Sequence, residues 1–127
     1  MRARAPLAAL ALLLAASACA GQNKYERLAQ KITLAVQADD PSQLQGVISP
    51  DQTIPRVKLA EWSDELQGQG KLLSLREATP CTVAGAHCFQ AQFQKHLYLE
   101  SMQLDDHGKV VMWKFHMAGQ PESTATP

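Results

Sequence analysis

Apolar residues recur three and four positions apart from Asn23 to Gln67, and two apart from Lys71 to Met117. The first spacing suits a helix with one buried stripe, the second a strand with one buried face. Helices are therefore expected first and strands second, an α+β arrangement. Asn23, with Glu26 three residues on, has the form of a capping box. It opens a helix to about Ala38 whose stripe is Tyr25, Leu28, Ala29, Ile32, Ala35 and Val36. Asp39-Asp40-Pro41 ends it. Asp40 then caps a short second helix with Pro41 at its first position and Leu44, Val47 and Ile48 on its buried side. A third helix is predicted over Val57 to Gln67, burying Leu59, Trp62, Ser63 and Leu66, with Gly68 just beyond its end.

In the second half Leu73 and Leu75 alternate with Ser74 and Arg76, and Phe89, Ala91 and Phe93 alternate with glutamines. Val111, Trp113, Phe115 and Met117 alternate with more polar neighbours. Asp105-Asp106-His107-Gly108 has a turn composition, and Lys95-His96 is a tighter candidate. Closing the chain across Asp105 to Gly108 pairs Met102 with Val111, Glu100 with Trp113 and Tyr98 with Phe115. A two-residue turn at Lys95-His96 pairs Phe93 with Tyr98, Ala91 with Glu100 and Phe89 with Met102. The two registers are independent, yet both put Phe89, Ala91, Phe93, Tyr98, Met102, Val111, Trp113 and Phe115 on one face. Gln90, Gln92, Gln94, Leu97, Leu99, Ser101, Gln103, Val110, Met112, Lys114 and His116 fall on the other. The architecture expected is N-terminal helices on one face of a curved antiparallel sheet of about four strands.

Composition adds boundaries rather than chemistry. A chain of 127 residues, 46% hydrophobic and 19% charged, has room for one ordinary globular domain. Twelve basic residues cancel twelve acidic ones, so no nucleic-acid partner and no polybasic membrane patch is expected. The first residues read as an export signal: Arg2 and Arg4 precede an unbroken Leu/Ala run from Leu7 to Ala16, followed by small residues. Ten residues span about 15 Å as a helix, half of a bilayer core of about 30 Å, so this run is no stable anchor. Ala16-Ser17-Ala18-Cys19 resembles a lipobox, after which a diacylglycerol is attached to the cysteine. Ordinary cleavage at Ala16-Ser17-Ala18 or Ala18-Cys19-Ala20, giving a soluble periplasmic or secreted protein, is the alternative. The lipidated reading is preferred because three cysteines leave one unpaired in an oxidising compartment. The expected division is a signal peptide over 1–18, a lipidated linker over 19–23, the α+β domain over 24–117 and a disordered tail over 118–127.

Cys81 and Cys88 enclose a loop-like stretch between the first two strands. A disulfide there would close a short ring worth about 2 to 3 kcal/mol on the chain-entropy model. Two reduced thiols or a metal pair are the alternatives. If the two cysteines faced each other directly, strict alternation would turn Arg76 inward and Leu73 and Leu75 outward, unless a bulge near Thr79-Pro80 intervened.

Four stretches carry a resemblance: the helix ending at Ala38-Asp39-Asp40, the Leu44 to Pro50 segment, Gly70 to Leu75, and Leu104 to Phe115. Over about Lys24 to Met117 the chain resembles the cystatin-like, nuclear transport factor 2-like superfold. Within it, the chain is similar to small secreted bacterial domains of unknown function found alone or ahead of serine-hydrolase domains. The resemblance implies a cone between helices and sheet in which enzymes of this superfold carry an Asp, Glu or His. The present chain has no hydrolase domain in its sequence and adds the Cys81/Cys88 pair.

The register places one such group in the cone, Glu100, beside Trp113 and opposite Ala91. A carboxyl desolvated there would have a raised pKa and could act as a general base. A rim position, or a pairing with Arg76, would make it structural. Trp62, Tyr98, Glu100, Trp113 and Phe115 are the candidate pocket residues, with Trp62 and Trp113 expected to meet between helix and sheet. His96 and His107 fall in turns, His87 in a loop and His116 on the outer face, so no metal site is expected. No phosphate-binding glycine loop and no G-x-S-x-G elbow occur, and no cofactor is expected. Two functions remain. One is a non-catalytic envelope module that contacts the membrane through its lipid and binds a protein or a small apolar ligand. The other is a small enzyme using Glu100.

Overall fold

The computed structural model describes residues 21–120. The proposed signal peptide, Cys19, and the tail from residue 121 lie outside the described residues. Two α-helices, α1 (Lys24–Gln37) and α2 (Arg56–Gln67), flank a 3-10 turn at Pro41–Leu44. They precede β1 (Leu72–Ala78), β2 (His87–Phe93), β3 (Leu97–Leu104) and β4 (Val110–Met117). The strands form one antiparallel meander in the order β1-β2-β3-β4, and the α+β class is as expected.

The start of α1 follows from Asn23. Its side chain accepts from the Glu26 N–H at 2.8 Å, and Glu26 Oε1 accepts from the Asn23 N–H at 2.8 Å. The second oxygen of Glu26 accepts from the Glu77 N–H on β1 at 2.7 Å, so one carboxylate both caps the helix and docks it on the sheet. That bond from Glu77 is the main reason the Glu26 pKa lies below its ordinary value. Ala29, Ile32, Ala35 and Val36 are buried, the expected stripe. Helix α2 buries Leu59, Ser63 and Leu66 as expected, and the Ser63 hydroxyl donates to the Gln37 carbonyl at 3.1 Å.

Both hairpin registers differ from those expected, each by two residues. In the β2–β3 hairpin Ala91 pairs with Tyr98 and Phe89 with Glu100. The tight turn falls at Gln94-Lys95, where the Phe93 N–H reaches the His96 carbonyl at 3.0 Å. Contacts outside the hairpin hold it there. Gln94 N–H donates to the Lys71 carbonyl and Lys95 N–H to the Gln69 carbonyl, while Gln94 Oε1 accepts from the Lys71 N–H. Gly70 sits beneath that side chain with φ 81°, and a Cβ there would come within 2.4 Å of Gln94 Oε1, so only glycine fits without displacing it.

In the β3–β4 hairpin Asp105 to Gly108 does form the turn, but the Asp105 N–H bonds the Lys109 carbonyl at 2.8 Å and Leu104 pairs with Val110. That is one residue from the expected register. An irregularity between Gln103 and Leu104 then makes Val111 the extra residue, and beyond it Met102 pairs with Trp113 and Glu100 with Phe115. Two one-residue offsets restore parity, because side chains alternate with period 2. Trp113 therefore points inward as expected. Close to the turn the parity is reversed: Val110 is buried and Val111 only half-buried, the opposite of the expected faces. Val110 is also held from outside the meander, since its N–H donates to the Val47 carbonyl and its carbonyl accepts from Ser49.

In β1 the irregularity lies between Leu72 and Ser74, not at Thr79-Pro80. Leu73 is the extra residue and is 61% exposed, whereas Leu75 opposite Ala91 is buried. Arg76 pairs with Gln90 on the outer face and does not reach Glu100. Cys81 and Cys88 are joined in a disulfide, but they do not face each other across the ladder, where Cys88 stands opposite Ala78. His87 is the first residue of β2 rather than part of a loop; its ring stacks on Tyr25 at 3.9 Å and its Nδ1 lies 2.9 Å from Glu77 Oε2.

Candidate functional site

Two places stand out on the helix-covered side: a carboxyl sealed inside the core, and a groove at its edge. Strand β3 carries Tyr98, Glu100 and Met102 inward, and all three are buried. Glu100 Oε2 lies 2.7 Å from the Thr33 hydroxyl of α1, and Oε1 accepts from Trp113 Nε1 at 3.3 Å. Thr33 Oγ1 also lies 2.8 Å from the Ala29 carbonyl. A hydroxyl has one proton and two lone pairs. It cannot donate to both a carbonyl and a carboxylate. The arrangement is complete when Glu100 is protonated and donates to Thr33, which in turn donates to Ala29. Burial raises the Glu100 pKa from its ordinary 4.5 to about 7, outweighing what Thr33 and Trp113 would contribute as donors to the ionised form, in keeping with that proton.

The candidate pocket residues of the sequence do come together, as packed aromatics. Trp62 meets Trp113 edge-on at 5.7 Å and Phe115 at 5.8 Å; Trp113 and Phe115 are 5.1 Å apart. Tyr98 touches Phe115 at 5.8 Å and Phe93 at 5.5 Å. Its hydroxyl donates to Glu65 Oε2 at 2.9 Å, and burial together with that carboxylate pushes its pKa up. Trp62 and Phe115 are half-buried, whereas Tyr98, Glu100 and Trp113 are buried. A cavity of about 230 Å³ borders Glu100, but its other walls include Cys88, Gln90, Leu99, Ser101 and His116, on the outer face of the sheet. The carboxyl points the other way, toward the helices.

The larger cavity, about 470 Å³, lies between the 3-10 turn, the 45–55 connection and the start of α2. Buried Leu44 and Leu59 form its floor, and Ile48, Pro50 and Ile54 form apolar walls. Arg56 and Lys109 are its two charged lining residues, and no acidic residue lines it. Ile48 and Ile54 also separate it from a second depression of about 230 Å³, bordered by Trp62 and Trp113. This site was not foreseen. Leu44 and Ile48 carried a signal, as the buried side of a short helix. Arg56 and Lys109 carried none, being brought together only when the β3–β4 turn folds beside α2.

Among the described residues no three His, Cys, Asp or Glu side chains converge into a metal site, and no helix is long and apolar enough to cross a membrane. Compared with protein-family models, with curated proteins and with solved structures, the chain matches none.

Proposed function

We propose that the protein is a non-catalytic binding module of a bacterial cell envelope that takes a small apolar ligand in the groove between the 3-10 turn and α2. One observation carries this reading: the open concavity is apolar and of ligand size, while Glu100 is enclosed with both oxygens hydrogen-bonded. Ligand sites of about 300–1,000 Å³ with apolar walls and few polar groups are the common type. A small ligand is preferred to a protein partner because the site is a concavity rather than a raised apolar patch. The raised Glu100 pKa favours the enzymatic alternative, in which this carboxyl is a general base. Against that stands geometry: a base must reach the proton it abstracts, and here the neighbours of the carboxyl are Thr33 and Trp113.

The likeness to the cystatin-like, nuclear transport factor 2-like superfold belongs to the same proposal. Helices preceding a four-stranded meander and covering one face of it support it. Export, a lipid on Cys19 and a periplasmic location belong to the proposal too, and the Cys81–Cys88 disulfide supports the oxidising compartment among them.

Two measurements test the proposal. N-phenyl-1-naphthylamine, a neutral apolar fluorophore, should bind saturably at one site per chain. Ile54→Asp should abolish that binding and Glu100→Gln should leave it intact. An unsaturable signal, or one that survives Ile54→Asp, overturns the groove as the site. Intact mass of protein extracted from membranes should start at Cys19 with added acyl mass; a soluble product beginning at Cys19 or Gly21 would refute lipidation.

A further inference from the structure

The groove has a feature that an indifferent apolar site would lack: both charges on its lining are positive. Arg56, the first residue of α2, is exposed and has no hydrogen-bond or ion-pair partner among the described residues. Lys109 is half-buried, and its ammonium is already engaged by the Gly46 carbonyl. A wholly apolar molecule would fill the groove but give the exposed guanidinium at its edge no partner. A molecule with an anionic end beside Arg56 and an alkyl body over Leu44, Ile48, Ile54 and Leu59 would satisfy both demands. Resting on the binding-module reading above, we infer that the ligand is a single-chain anionic amphiphile, a long-chain carboxylate, with its head group held by Arg56 and secondarily by Lys109.

Two observations narrow the head group and the tail. The flat fork of one guanidinium pairs a carboxylate or a phosphate through two parallel hydrogen bonds, but the second charge of a phosphate would call on a second free cation. Lys109 already has an acceptor, so a single-charge head fits better. A volume of about 470 Å³ sits in the lower half of the range for small-molecule sites, which suits one chain rather than the two of a bilayer lipid. Lys109 and Gly46 both line the groove, and the ammonium reaches back to the Gly46 carbonyl where φ 78° turns the chain.

Competition against bound N-phenyl-1-naphthylamine tests the inference with dodecanoate, dodecanol, dodecyl phosphate and vesicles of anionic phospholipid as probes. Dodecanoate should displace the fluorophore at least tenfold more tightly than dodecanol. Arg56→Gln should weaken dodecanoate about tenfold and leave dodecanol within twofold, and Lys109→Gln should act in the same direction with a smaller effect. Raising the salt should weaken dodecanoate but not dodecanol, since partly exposed charge pairs are screened. Equal affinity for acid and alcohol would overturn the carboxylate assignment while leaving the groove reading intact. Tighter binding of dodecyl phosphate, or displacement only by vesicles, would overturn it in favour of a phosphate head or a membrane surface. Failure of the fluorophore itself to bind would remove both readings together. Arg56 holds no other side chain in place, so its variant is expected to fold and any lost affinity reads on the ligand.

Discussion

Trp113→Ala is expected to destabilise the domain by about 3 to 5 kcal/mol, the cost of removing a large buried aromatic and leaving a cavity. Trp113 is 7% exposed, lies against Trp62 and Phe115, and donates to Glu100. Native domains have about 5 to 15 kcal/mol in total, so the loss is a large share of the stability of a domain this small. Urea unfolding at pH 5, with the slope compared between proteins, measures the difference. Trp113→Phe separates two contributions. It keeps most of the ring volume but leaves Glu100 Oε1 without its donor, an unsatisfied buried acceptor costing about 1 to 3 kcal/mol. If Trp113→Ala cost under about 1 kcal/mol, Trp113 would not be the centre of the core.

Glu100→Gln should act in the opposite direction, and only above mildly acidic pH. Folding raises the Glu100 pKa from 4.5 to about 7, so the folded state binds the proton more tightly than the unfolded chain does. Its contribution is complete below about pH 4.5 and is lost as pH rises through about 7. At 1.36 kcal/mol for each tenfold in proton affinity, the loss amounts to about 3 kcal/mol. Glutamine keeps the shape of the protonated acid: its oxygen can accept from Trp113 Nε1 and its amide can donate to Thr33 Oγ1. The variant should therefore match the parent near pH 4 and exceed its stability by about 2 to 3 kcal/mol at pH 8. Unfolding free energies measured across that range decide the matter. A variant that kept the parent's loss of stability between pH 4.5 and 7 would show that some other group carries the proton.

The pattern of apolar positions was enough to foretell the class, the order of elements and most of the core. The stripe of α1, the buried face of α2 and the inward side chains from Phe89 to Met102 follow from periodicity, because burial of one face selects residues at that period. The Asn23 capping box was legible for the same reason: both of its partners lie within one helical turn. Glu100 was also placed correctly inside the core, although its expected neighbours Trp113 and Ala91 are replaced across the ladder by Phe115 and Phe89.

Register was not legible, since a turn composition is compatible with several pairings that preserve the same buried face. Contacts remote in sequence made the choice: Gln94 and Gly70 at one turn, Val47 and Ser49 against Val110 at the other. The bulges at Leu73 and Val111 belong to the same level, and with them the exposure of Leu73, the burial of Val110 and the outward turn of Arg76.

What the sequence alone determined about this protein is therefore whatever depends on neighbours within a turn or a strand: helix boundaries, caps, alternation and the identity of the buried faces. Tertiary structure alone decided what depends on residues far apart meeting in space. Thr33 meets Glu100 across 67 positions, which defines where a proton is held. Arg56 and Lys109 come to line one groove over Leu44 and Leu59, which makes it a cationic apolar site. Neither juxtaposition leaves a periodic trace, because each follows from the packing of α1 and α2 on the sheet rather than from the local conformational preferences that periodicity records.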